Sequence, residues 1–106
     1  MSDIIVVGDK DTTMGFKSIG FDTYIIDMQN KENQKDSINS ILRKNYKIIF
    51  ILEQLYKDHF DLIEELTLNK LYPIVVAIPS TREQLHFSEN LIERLVIKAL
   101  GGSFLG

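Results

Sequence analysis

Asp9, Asp11 and Glu53 are the residues of this sequence best placed for chemistry. Each follows an apolar run, Ile4 to Val7 for the first two and Ile48 to Leu52 for the third. Parallel strands ending side by side would bring the three carboxylates to one edge, where their oxygens could hold a hard cation such as Mg²⁺. The competing expectation is that Asp9 and Asp11 accept from the free amides of a helix start, while Glu53 opens a helix whose dipole favours it. His59 falls on an apolar stripe and His86 in a polar stretch, neither spaced near a second ligand or nucleophile, so a packed and a solvated histidine are expected. Ser80 follows Ile78-Pro79 but lacks a G-x-S-x-G elbow and a base. Gly8, Gly15 and Gly20 make neither G-x-G-x-x-G nor a P-loop and are read as turn and cap residues, Gly8 allowing a bend that a side chain would obstruct. With no cysteine there is no thiolate, disulfide or Cys-based metal centre. Acid, base and nucleophile do not converge, which favours a non-catalytic module without a cofactor.

The elements that must position these residues follow from periodicity. Ile4 to Val7 is apolar on both faces, as in a strand covered above and below, and runs directly into the glycine turn at Gly8. A short helix is expected from about Thr13 to Ile19, ended by Gly20 in a left-handed cap. Phe21 to Asp27 mixes polar and apolar positions and reads as an edge strand. Gln29 to Lys35 offers no core candidate and reads as a solvated loop. Asp36 is the expected N-cap of a helix through Ile38, Ile41 and Leu42, with Asn45 in the left-handed position after it.

Lys47 to Leu52, wholly apolar from Ile48 onward, reads as a second inner strand and is therefore central. A helix starting near Glu53 presents Leu55, His59, Leu62, Ile63 and Leu66 as one stripe, with Asp58, Asp61, Glu64 and Glu65 on the wet side. Ile74 to Ile78, bounded by Pro73 and Pro79, is the last strand. Ser88 caps a final helix with Leu91, Ile92, Leu95, Val96 and Ala99 on one face, ended by Gly101-Gly102. Strands alternating with helices force parallel pairing through right-handed crossovers. The expectation is an α/β three-layer sandwich with a four-stranded parallel sheet in the order 2-1-3-4, a flavodoxin- or receiver-like winding without a fifth strand. Residues 1–102 form the domain and 103–106 a short tail.

Composition narrows the function classes. A chain of 106 residues is one domain that can bury roughly two-thirds of its extended surface. At 44% hydrophobic and 25% charged it is globular in composition, and a net charge of −3 without a basic, aromatic-interleaved stripe argues against nucleic acid. The apolar runs are too short to span a bilayer, and Met1-Ser2-Asp3 does not begin like a signal peptide, so a cytoplasmic protein without membrane insertion is expected. Ile97 and Leu100 widen the last helix's apolar face beyond what one sheet covers. Phe104 and Leu105 follow two glycines, where apolar residues commonly mark a partner contact.

Two families are relevant. The acidic strand-end set resembles a response-regulator receiver, which would make this a signalling or ligand-binding domain, yet Glu53 or Leu52 stands where a receiver has its phosphoacceptor Asp. Gly8-Asp9-Lys10-Asp11-Thr12 with Gly15-Phe16-Lys17 and Gly20, Glu53-Gln54, the run Pro73 to Ser80, and Val96 to Gly101 together resemble the F subunit of the V-type and archaeal-type rotary ATPases over essentially the whole chain. Lys17 and Leu52 depart from the residues common there. The resemblance implies a central-stalk rotor component without an active site, peripheral on a membrane-bound complex. It would lie against the coiled coil of the D subunit and couple the A3B3 head to the ion rotor. Leu91, Leu95, Val96, Ala99, Leu100, Phe104 and Leu105 would then carry the partner contact.

Overall fold

A computed structural model describes residues 3–17 and 19–79. The final helix, Ser80, His86 and the tail considered above lie outside these residues. Within them the chain runs β1 (Ile4–Gly8), α1 (Lys10–Lys17), β2 (Asp22–Ile25), α2 (Lys31–Leu42), β3 (Ile48–Leu52), α3 (Glu53–Asp58), α4 (Phe60–Thr67) and β4 (Ile74–Ile78).

All three strand pairings are parallel, and the order is β2-β1-β3-β4, as the two all-apolar runs predict. Strands buried on both faces need apolar side chains at every position, and β3 is buried throughout. Alternate residues divide the core. Ile5, Val7, Ile49 and Ile51 pack with Ile38, Ile41 and Leu42 of α2, Leu55 of α3 and Ile63 of α4. Val6, Ile48, Phe50 and Ile78 pack on the other side with Phe16 of α1. Phe50 stacks with both Phe16 and Phe21, ring centres 6.3 and 6.2 Å away. The placement follows from handedness: β1 to β2 steps one way along the sheet, whereas β2 to β3 and β3 to β4 step the other. Right-handed crossovers therefore put α1 on one face and the other helices on the opposite face.

The differences from the expected elements are local. Helix α1 begins three residues before Thr13, because Asp9 supplies the cap; Gly15 consequently lies inside the helix and is neither turn nor cap. Helix α2 begins at Lys31, inside the expected loop, because Asn30 rather than Asp36 caps it, its Oδ1 accepting from Asn33 N at 3.0 Å. Asn45 is not left-handed, since α2 closes on Arg43 in a right-handed conformation; among described non-glycine residues only Asn69 has positive φ, at 60°. The expected single helix after β3 is two, broken at His59 with φ −120° and ψ 26°. Leu55 and Ile63 are eight residues apart, about two helical repeats with or without a bend, so the apolar stripe does not reveal it. Gly20 has the left-handed φ expected, +94°, but α1 ends at Lys17 rather than Ile19, so Gly20 lies in the turn beyond the helix, its N–H donating to Lys17 O at 3.1 Å.

Candidate functional site

In open α/β sheets ligands collect outside the carboxyl ends of the strands, so the loops after β1, β2 and β3 are the first place to look. After β1, Asp9 Oδ1 accepts from Thr12 N at 2.8 Å. Thr13 Oγ1 donates to the carbonyls of Asp9 and Lys10 at 3.0 and 3.1 Å. Both threonines are buried, so this turn is spent on starting α1. Gly8 has no positive φ, and a Cβ built on it would meet Leu52 Cβ and Thr12 Cγ2 at 3.4 Å. It fits a close approach rather than an obligatory bend.

After β2, Asp27 Oδ1 accepts from Gln29 N at 2.9 Å. The Asp27 carbonyl accepts from Gln34 Nε2, also at 2.9 Å. Gln34 Oε1 in turn lies 2.9 Å from His59 Nε2. Because the Gln34 amide nitrogen is committed to a carbonyl, its oxygen must accept, so neutral His59 carries its proton on Nε2. Burial lowers the His59 pKa below its ordinary value; Asp58 opposes this, and Lys31 and Lys35 add to it. The histidine expected to be packed is packed, as a tie between the α3–α4 bend and α2.

Sequence reasoning missed Gln34, 2% exposed, by leaving it in a loop. The signal was present, since Gln34 precedes Ile38 by one helical repeat and shares its face.

After β3, Glu53 opens α3 and pairs with Lys57 across one turn at 2.8 Å, an exposed ion pair that raises the Lys57 pKa through the hydrogen bond and then the charge. Asp11 is exposed in the first turn of α1. Among the described residues no three His, Asp or Glu side chains group to hold a metal ion, so Asp9, Asp11 and Glu53 are not gathered as the cation reading requires. The space beneath α2, lined by Val7, Ile38, Ile63 and other apolar side chains, is about 10 Å³, too small for a substrate. Among the described residues no helix is long and apolar enough to cross a membrane.

Fold and loops together define a small doubly wound parallel α/β domain in which, among the described residues, caps and a single one-turn ion pair stand at the carboxyl ends of the strands, where open α/β sheets collect ligands. A family model described as ATP synthase (F/14-kDa) subunit matches residues 4–96, and the chain belongs to that family. It is 36% identical over 106 residues to the V-type ATP synthase F subunit of Fusobacterium nucleatum, covering 99% of this chain and 97% of the relative. To the A-type ATP synthase F subunit of Methanothermobacter thermautotrophicus it is 30% identical over 79 residues, 74% of this chain and 73% of the relative. The crystal structure of the V-type ATP synthase F subunit from Archaeoglobus fulgidus shares the fold, with a TM-score of 0.56 and 21% identity over 71% of this chain and 94% of that one.

Proposed function

We propose that this chain is a non-catalytic central-stalk component of a V/A-type ATP synthase, coupling ATP synthesis or hydrolysis in an A3B3 head to ion translocation. What carries the reading is the family match along residues 4–96 in a domain whose loops after β1 and β2 are occupied by its own cap and turn hydrogen bonds. A rotor protein needs stiffness and contact area rather than a reactive centre. Two continuous core clusters, one on each face of the sheet, are consistent with the first need.

The second is assigned to Leu91, Leu95, Val96, Ala99, Leu100, Phe104 and Leu105, which would lie on the coiled coil of the D subunit. Apolar surface buried there contributes about 25 cal/mol per Å² before the costs of association are subtracted. The complex would be cytoplasmic and peripheral to the membrane. The test is light scattering after size exclusion with the coiled-coil D subunit of the same genome. A one-to-one complex, weakened by Phe104→Asp with Leu105→Asp, is expected, and this chain alone should hydrolyse no nucleotide. Separate elution at several salt concentrations would refute the placement.

A further inference from the structure

The opposite, amino end of the sheet is built differently. There the α2–β3 connection, residues 43–47, and the α4–β4 connection, residues 68–73, border an open groove of about 450 Å³. Arg43, Lys44, Lys47 and Lys70 line it, and no carboxylate does among the described residues, although the whole chain carries a charge of −3. Lys47 is partly offset by Asp3, 3.8 Å away and exposed. Lys44 and Lys70 pair with no carboxylate among the described residues. Tyr46 is fixed in the lining by donating its hydroxyl to Asp22 Oδ2 at 2.9 Å. The 68–73 connection also carries Leu71 and Leu68, which at 78% and 66% are the most exposed large apolar side chains among the described residues. Leu71 is flanked in sequence by Lys70 and Tyr72, both in the lining, so an exposed apolar side chain stands at the edge of the charged groove, and apolar surface with a polar rim is how protein interfaces are built.

We propose that this groove docks an acidic, amphipathic segment of another component of the same synthase, a contact distinct from that assigned to the final helix and tail. It rests on the reading of this chain as a synthase component. The charge on the groove calls for carboxylates, and Leu68 and Leu71 call for an apolar side chain beside them. A compact phosphate is disfavoured, because α2 presents its carbonyl end here, at Leu42 and Arg43, and that end carries partial negative charge. An anionic bilayer is disfavoured because the cations line a concavity, which a lipid surface does not enter.

The test uses synthase assembled from the other subunits without this chain, to which the labelled full-length chain is added. The paired substitution Lys44→Glu with Lys70→Glu changes two exposed side chains. It should weaken incorporation about tenfold at low ionic strength, the difference shrinking near about 1 M salt, where the Debye length is about 3 Å. A benzophenone amino acid in place of Leu71 should cross-link to an Asp- or Glu-rich segment of one neighbouring subunit. Equal incorporation of the wild type and the paired variant at low salt, or cross-linking to phospholipid or to no protein, would overturn the groove assignment while leaving the synthase reading intact. Failure of the wild type itself to incorporate would overturn both.

Discussion

Replacing Asp9 separates the two chemistries its position allows. In the structure its carboxylate accepts from Thr12 N at 2.8 Å at the start of α1, a charge-assisted cap. Loss of an N-cap costs about 1 kcal/mol, and loss of a negative charge at a helix start about 0.3–1 kcal/mol more, so Asp9→Ala should destabilise by about 1–2 kcal/mol. Asp9→Asn keeps the accepting oxygen and loses only the charge, so it should fall between. In thermal unfolding of a domain this size, each kcal/mol lowers Tm by about 4–8 °C. Mg²⁺ should leave all three melting curves in place. If instead a cation bound the wild type with a Kd of about 1 mM, about 10 mM Mg²⁺ would stabilise it by about 1.4 kcal/mol. The cap reasoning is refuted if Asp9→Ala melts with the wild type, or if Asp9→Asn costs as much as Asp9→Ala and abolishes a Mg²⁺-dependent rise.

The two connecting glycines should respond differently to alanine. Gly20→Ala meets no atom within 4 Å but forces a side chain onto φ +94°, costing about 1–2 kcal/mol. Gly8→Ala keeps an allowed φ and makes contacts of 3.4 Å, so it should change stability by less than about 1 kcal/mol; urea midpoints that reversed this ranking would contradict the geometry. Acidification should act through His59. Its folded pKa is lowered from 6.5, so the unfolded chain takes the proton first, and the group's contribution is intact above that value and lost as pH falls through the folded pKa. Wild-type urea midpoints should therefore fall between about pH 7.5 and pH 5.5, and His59→Gln, which can still donate to Gln34 but does not titrate, should flatten the slope. An unchanged slope would remove His59 as its source.

Residues whose environment is set by the sheet alone were readable in advance. Ile4 to Val7 and Ile48 to Leu52 are apolar at every position, and only inner strands of a parallel sheet demand that, so the order followed from them. The family resemblance was also legible, because its motifs are contiguous. What escaped were contacts that join distant segments. Gln34 reads as a polar loop residue until His59, 25 residues later, is folded against it. Asn30 and Asp36 are both competent N-caps by type, and only the backbone at Asn30, with φ −123° and ψ 93°, decides between them. The carboxylates were ambiguous for the same reason: Asp9 and Glu53 have the right chemistry for a cation, and their commitments to Thr12 and Lys57 are visible only as distances.

The two ends of the sheet consequently differ in what they leave available. At the carboxyl end, among the described residues, polar groups after β1, β2 and β3 are committed to the domain's own helices, the Asp9 carboxylate to α1, the Asp27 carbonyl to α2 and Glu53 to Lys57 within α3, so a ligand using Asp9 would have to break the contact that starts α1. At the amino end, the connections after α2 and α4 bring Lys44, Lys70 and Leu71 to the surface without any structural duty among the described residues. A protein acting by association gains from that division, because its docking surface can change charge without disturbing its core. The Asp9 and Lys44/Lys70 substitutions probe the two halves of this argument separately. The first should move stability with little effect on assembly beyond that loss, and the second should move assembly at unchanged stability. A charge reversal at Lys44 and Lys70 that lowered Tm by as much as Asp9→Ala would show that the amino end is structural after all.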